Sequence, residues 1–113
     1  MDLMLIAPCT GNTLAKLVNA VTDTPVTMTA KAHLRNQRPL LLAIATNDGL
    51  GNNAKNIGAV LNTKNIYMVP FLQDDPIKKP NSLVADMEKI LDAALMALKK
   101  TQIQPIIIGG KSL

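Results

Sequence analysis

The sequence predicts an α/β fold, a doubly wound and mostly parallel sheet, and the alternation of its segments is the main reason. Short, almost unbroken apolar runs at residues 2–7, 39–46, 66–71 and 105–108 are typical of strands buried on both faces. Segments with helical periodicity separate these runs. Strands that alternate with helices along one chain indicate a parallel sheet with helices on both of its faces.

Helices are predicted from the spacing of apolar residues over residues 13–21, 25–35, 53–61 and 83–99. The last pattern is the clearest, because its apolar residues recur at intervals of three and four while charged residues fall elsewhere. Asn81 or Ser82 is placed to cap this helix. We therefore expect a surface helix that packs on the sheet.

Composition indicates one globular domain over residues 1–113, with a net charge of +4 and 48% hydrophobic residues to form a core. Tyr67 and Phe71 are the only aromatic residues. A stacking platform for bases is therefore missing, and we expect no nucleic-acid partner.

The cysteine content and the apolar runs indicate the compartment. Cys9 is the only cysteine, which excludes an intrachain disulfide and is consistent with a reducing environment. The first residues lack the basic region of a signal peptide, and no apolar run has the length of a membrane span. We expect a cytoplasmic protein that does not bind membranes.

Polar residues follow the first strand in the stretch PCTGNT, residues 8–13. Ligands of open α/β sheets bind at the carboxyl ends of the strands, where helix N-termini also lie. Hydroxyl and amide groups there suit an anion or the edge of a flavin. Alternatively, Asn12 or Thr13 only caps the following helix. Cys9 is either a thiolate activated by the helix N-terminus or an inert small side chain.

Several motifs resemble a known family. The stretch APCTGNTLAK resembles the A-P-A-S-A-N-T-I-A-K segment of the flavin-binding family of homo-oligomeric decarboxylases and flavin prenyltransferases. The stretches TNDGLG, LNTKNIY and QDDPIKKPNSLVADM closely resemble the branch of that family that provides the B subunits of dipicolinate synthases in spore-forming bacteria. The similarity runs from Leu3 to about Ile108.

The resemblance implies a flavodoxin-like, Rossmann-like three-layer fold with FMN as cofactor. It also implies a part in sporulation, as a subunit of an oxidoreductase that converts dihydrodipicolinate, a small-molecule diacid, to dipicolinate. The expected partners are an A subunit that binds NADP and further copies of this chain. A flavin-binding or scaffold protein without its own catalysis is the alternative. Which subunit carries the chemical step is left open.

Site residues follow from the resemblance by position. Asn12 matches the Asn that lies beside the reacting group in the family, and on this resemblance we assign it as catalytic. The family's loop also contacts the flavin, which assigns cofactor binding to Pro8, Cys9, Thr10, Gly11 and Thr13. Cys9, Thr10 and Gly11 depart from the family's Ala, Ser and Ala, although Thr10 keeps a hydroxyl.

Other family features have no counterpart. TNDGLG stands where the decarboxylases carry their substrate clamp, so we expect Thr46 and Asn47 to bind substrate and expect no cysteine decarboxylation. The family's upstream strand, phosphate-binding turn and active-site His are not found. We therefore expect a domain that is incomplete at its N-terminus and corresponds to the C-terminal portion of the family domain.

A dinucleotide fingerprint can be drawn from Gly49, Gly51 and Ala54, with Asp74 about twenty residues on. The fingerprint needs its first glycine directly at the end of the strand, and residues 46–48 intervene. We interpret this segment as a polar loop that faces a ligand.

Two charged clusters complete the candidates. His33, with Lys31, Arg35 and Arg38, could neutralise a diacid or an acidic partner surface, or could only complement the dipole of a helix C-terminus. Asp74 and Asp75 lie in the loop DDPIKKP without further ligands at metal-binding spacing, so we predict a solvated turn and no metal site.

Overall fold

A buried strand, β2 (Leu40–Thr46), organises the sheet in the computed structural model, which describes residues 2–109. It pairs in parallel with β1 (Met4–Thr10) and β3 (Ile66–Met68), and antiparallel with β5 (Leu83–Ala85), which in turn pairs antiparallel with β4 (Phe71–Gln73). In this described part, four strands run in one direction and β5 opposes them. The predicted mostly parallel sheet is confirmed.

Within the described residues, four α-helices flank this sheet: α1 (Gly11–Val18), α2 (Pro25–Arg35), α3 (Ala54–Leu61) and α4 (Ile90–Leu98). A short 3₁₀ turn at Met87–Lys89 leads into α4. No helix within residues 2–109 is long and apolar enough to cross a membrane.

Side chains of β2 alternate between two cores, one on each face of the sheet. Leu40, Leu42 and Ile44 pack with buried residues of α1, α2 and α3. Leu41 and Ala43 point the other way and pack with residues of α4. All five are fully buried, and each large aliphatic side chain contributes about 1.5–3 kcal/mol. This two-sided burial explains why the strand reads as a continuous apolar run, and the doubly wound α/β class is confirmed.

The helix α2 has the predicted bounds because its start is defined locally. Thr24 Oγ1 accepts the N–H of Thr27 at 3.2 Å, and Thr27 Oγ1 accepts the N–H of Thr24 at 3.1 Å. This reciprocal capping box precedes a helix with Pro25 in its first turn, where a missing N–H has no cost.

The prediction of one helix over residues 83–99 is wrong at its start. Leu83 and Ala85 are buried in strand β5, between β2 and β4. The predicted caps Asn81 and Ser82 are therefore not at a helix end, and Asp86 instead accepts the N–H of Glu88 at 3.1 Å. Leu83 and Met87 have helical spacing, but Leu83 and Ala85 also fit one face of a strand. Pairing of this segment with β2 and β4 makes it a strand.

The predicted strands at residues 66–71 and 105–108 also need correction. The first is divided into β3 and β4, because Pro70 has no N–H to donate. The second forms only an isolated bridge, in which Phe71 donates to the carbonyl of Ile106 at 3.0 Å and accepts from Ile108 at 2.9 Å.

Candidate functional site

The carboxyl ends of β1 and β2 lie side by side, as the sequence predicts. Cys9 is in register with Ile44, and Thr10 with Ala45. The two segments that follow these strands, residues 10–13 and 46–53, therefore meet at one edge of the sheet. We call this region the β1–β2 edge.

Helix α1 begins at Gly11, two residues earlier than predicted, because Thr10 is its cap. Thr10 Oγ1 accepts the N–H of Thr13 at 3.3 Å. The alternative in which Asn12 or Thr13 caps the helix is therefore wrong. Asn12 instead lies exposed in the first turn, and its carboxamide makes no hydrogen bond to the described residues 2–109.

A polar network holds the segment that follows β2. The Asp48 carboxylate accepts hydrogen bonds from Thr46 Oγ1 at 2.6 Å and from Asn53 Nδ2 at 2.8 Å. Asn56 Nδ2 donates to Asn53 Oδ1 at 2.8 Å. The donation from Thr46, followed by that from Asn53, lowers the pKa of Asp48 below its ordinary value of 3.8. The carboxylate is therefore ionised at neutral pH.

Gly11 packs directly against this network and joins the two segments. A Cβ on Gly11 would lie 2.6 Å from Asn53 Nδ2 and 2.8 Å from Thr46 Oγ1. No side chain fits at such distances unless the network moves. The backbone at the start of α1 is thus held next to the end of β2.

Cys9 faces the core. Its side chain is fully buried in the cluster on the α1–α3 face of the sheet, and this burial raises the pKa of the thiol to about 12. The interpretation as an activated thiolate is wrong, and the inert side chain is supported. Only the backbone of Cys9 is left to contact a ligand.

The other residues predicted to bind flavin lie at the surface of this edge. Pro8 and Thr10 are exposed, and Gly11 and Thr13 are half-buried. Their assignment to the flavin remains a prediction.

The two predicted substrate-binding residues differ in accessibility. Thr46 is 7% exposed and its hydroxyl donates to Asp48, so this hydroxyl is already engaged within the protein. Asn47 is exposed at the same edge. Their role in binding substrate remains a prediction.

Sequence reasoning missed the part played by Asp48, Asn53 and Asn56 in shaping the site. The signal was a run of Thr, Asn and Asp directly after a buried strand, followed by two asparagines before a helix. Residues of these types often hydrogen-bond locally in turns, and their long-range contact with Gly11 needs the tertiary structure.

Backbone amides of the suspected dinucleotide fingerprint are used within the protein. Leu50 N–H donates to the carbonyl of Asn81 at 3.0 Å, and the N–H groups of Gly51 and Asn53 donate to the carbonyl of Asp48 at 2.9 and 3.1 Å. Gly49 packs against Leu83. These engaged amides do not form a phosphate-binding turn.

Some residues of the two charged clusters make structural contacts, whereas Lys31 and Arg35 are exposed. The His33 ring is buried, and its Nε2 lies 2.7 Å from the carbonyl oxygen of Pro39, which connects the end of α2 to β2. A hydrogen bond from Ser82 is the main cause that lowers the pKa of Asp74, while Asp75 accepts the N–H of Lys78 at 3.1 Å. Within residues 2–109, no group of three His, Cys, Asp or Glu could hold a metal ion.

The β1–β2 edge offers hydroxyl and carboxamide groups and one carboxylate. Residues 7–13 and 46–53 contain no Lys, Arg or His. Such a surface suits hydrogen bonds to a neutral heteroaromatic edge better than it suits a phosphate, which favours cations. It also lacks a group whose ordinary pKa allows proton transfer near neutral pH.

Comparisons with known proteins agree with this architecture. A family model described as "Flavoprotein" matches residues 1–100. The chain is 53% identical over 108 residues to the dipicolinate synthase B subunit of Bacillus subtilis (strain 168), a match that covers 96% of this chain and 54% of that protein.

A solved structure shows similarity to the same kind of subunit. The crystal structure of the dipicolinate synthase B subunit from Bacillus halodurans is 52% identical to this chain and superimposes with a TM-score of 0.94, over 96% of this chain and 56% of the solved one. The chain thus spans about half the length of these relatives. It belongs to the flavoprotein family, and that membership implies a flavin as cofactor.

Proposed function

We propose that this chain acts as the B subunit, or part of it, in a dipicolinate synthase. In this proposal it takes part in the oxidation of dihydrodipicolinate to dipicolinate during sporulation, in the cytoplasm. It works with an A subunit that binds NADP, the two-electron acceptor, and it assembles with further copies of itself. The supporting comparison is the identity of 53% to a protein named as such a subunit.

The observation that carries the proposal is the free carboxamide of Asn12 at the β1–β2 edge. It is exposed and has no hydrogen bond to residues 2–109, whereas the side chains of Thr46, Asp48 and Asn53 nearby are engaged with one another. A carboxamide both donates and accepts, so it can orient a ring that presents both kinds of group.

The residues present fit the edge of a flavin ring. Gly11 lets the backbone lie close to the end of β2, which leaves Thr10, Asn12 and Thr13 on a short polar surface without fixed positive charge. Pro8 and the backbone of Cys9 would complete the contact. When bound, FMN would supply two-electron redox chemistry; the residues named here would bind and orient it.

In this proposal the segment that contains Thr46 and Asn47 would bind the diacid substrate, with the exposed carboxamide of Asn47 in contact with it. Because the Thr46 hydroxyl donates to Asp48, its part is to shape the site, and Asn47 is the exposed donor that a substrate can reach.

One observation favours the alternative, a flavin-binding or scaffold protein without its own catalysis. The β1–β2 edge has no His, Lys or Arg, and its one carboxylate is engaged in hydrogen bonds. A protein with such an edge is suited to hold a cofactor or substrate while its partner moves the proton.

Two measurements separate these functions. Titration with FMN, followed by quenching of flavin fluorescence, tests cofactor binding by this chain. Addition of the chain to an NADP-dependent A subunit tests whether dipicolinate forms faster than with the A subunit alone. Flavin binding without any acceleration supports the alternative, and the absence of both effects contradicts the two proposals.

Asn12→Ala tests the site residue. We expect dipicolinate formation to fall by about tenfold or more in the reconstituted assay, because an amide at a reacting centre acts through its geometry. The thermal midpoint should not change, since the side chain is exposed. Asn62→Ala, which alters an exposed asparagine at the end of α3, is the matched control. Unchanged activity of Asn12→Ala would exclude Asn12 from the site.

A further inference from the structure

A groove lies between α1 and α2, away from the residues of the β1–β2 edge. Its volume is about 200 Å³, and its lining includes Leu17, Ala20, Val21 and Leu34. Liquid water occupies about 30 Å³ per molecule, so this volume corresponds to about seven waters, the size of one large aliphatic or aromatic side chain. The groove is therefore suited to a single apolar anchor.

Apolar side chains around this groove are exposed. Val21 is 40% exposed, and Met28, which lies three residues before Lys31 on α2, is 59% exposed. Single exposed apolar side chains are ordinary, but a concave apolar surface with exposed neighbours is typical of an interaction site.

The groove also lies in a basic part of the chain. Residues 11–39 contain four Lys or Arg and one Asp, a net charge of +3 out of the chain's +4. Lys16 and Lys31 line the groove itself, and Arg35 follows one turn after Lys31. A segment with negative charges is the complementary partner.

The acidic residue of this region does not block such a partner. Asp23 pairs with Lys16 at 3.1 Å, and its side chain is 58% exposed. Because Asp23 lies largely in solvent, water screens this pair and its contribution is small, about 1 kcal/mol or less, so a partner carboxylate can replace Asp23 beside Lys16 at little cost. Lys31 makes no ion pair with the described residues and is available to a second carboxylate.

We propose that the α1–α2 groove docks an acidic segment of a protein partner, with one large apolar side chain in the groove and carboxylates on Lys16 and Lys31. A nucleic acid is less suited to this surface. The two aromatic residues of the chain, Tyr67 and Phe71, lie in strands β3 and β4, so no aromatic side chain of the groove can stack with a base. The proposal does not depend on flavin binding.

The test uses fluorescence anisotropy with a labelled octapeptide, Asp-Glu-Asp-Phe-Leu-Asp-Glu-Asp, added to the whole chain. We expect measurable binding, and a loss of about tenfold or more when Ser-Ser replaces Phe-Leu, because the anchor supplies the buried apolar area. Equal binding of the two peptides, or of a single-stranded oligonucleotide of the same charge, would overturn the proposal. So would the absence of binding by the Phe-Leu peptide.

Two variants locate the contact. Lys31→Glu should weaken binding by about fivefold or more, whereas Lys64→Glu, the same charge change at an exposed site after α3, should change it by less than about twofold. Val21→Arg adds a positive charge but removes apolar lining, so it separates the contribution of charge attraction from that of apolar burial. We expect it to weaken binding. Equal effects of the two lysine changes, or tighter binding by Val21→Arg, would show attraction by charge alone and would refute docking in the groove.

Discussion

Gly11→Ala tests whether the start of α1 is held against the network that follows β2. The added methyl group would lie 2.6 Å from Asn53 Nδ2 and 2.8 Å from Thr46 Oγ1, well inside van der Waals contact. In the family that this chain resembles, alanine stands at the position of Gly11. The clash therefore arises from the side chains of Thr46 and Asn53 in this chain, and not from the backbone conformation of the loop.

The expected cost follows from these contacts. Overpacking a tight site costs about 1–3 kcal/mol. Movement of Asn53 would also weaken its hydrogen bonds with Asp48 and Asn56, at about 1 kcal/mol each. A gain of about 0.4–1 kcal/mol from the lower entropy of the unfolded chain offsets part of this. We expect a net loss of about 2–4 kcal/mol in the free energy of unfolding.

Urea unfolding, followed by circular dichroism, measures this loss. With a urea dependence of about 2 kcal/mol per molar, the middle of the usual range for small proteins, the midpoint should fall by about 1–2 M. Gly58→Ala is the matched control, because no atom lies within 4 Å of a Cβ at this position in α3. The same substitution there should raise stability by about 0.5–1 kcal/mol.

A double variant tests the contact between Gly11 and Asn53 directly. The double variant Gly11→Ala with Asn53→Ala lacks the closest clashing atom. Its loss of unfolding free energy should therefore be smaller than the sum of the losses in the two single variants, by about 1 kcal/mol or more. Additive losses, or a Gly11→Ala protein as stable as the original, would show that the two segments are not packed as described.

Two further predictions concern titratable groups. Because the pKa of Asp48 is lowered in the folded state, its ionised form stabilises the fold above the unfolded pKa, and this contribution is lost as the pH falls through the lower folded pKa. Asp48→Asn should therefore lose less stability than the original protein as the pH falls below about 4 in acid titrations. A similar acid dependence in both proteins would contradict the network. Burial raises the pKa of Cys9 to about 12, so iodoacetamide at pH 8 should label it only after unfolding in urea. Rapid labelling of the folded protein would place the thiol outside the core.

Much of the fold was determined by local sequence patterns. The alternation of β2 between two cores produces its continuous apolar run, and the capping box at Thr24 defines α2 within a few residues of chain. The position of Asn12 at the end of β1 was also predictable, because the carboxyl ends of neighbouring parallel strands meet at one edge. Each of these features depends on residues close together in the sequence or on the general geometry of α/β sheets.

Only the tertiary structure decided the remaining features. Leu83 and Ala85 became a strand through pairing with β2 and β4, although their spacing also fitted a helix. Cys9 was placed in the core by the register of β1 with β2, and Asn53 was brought onto Gly11 by the same pairing. These contacts join residues far apart in the chain. Local periodicity carries no information about such contacts, because their free energy depends on which strands meet and in which register.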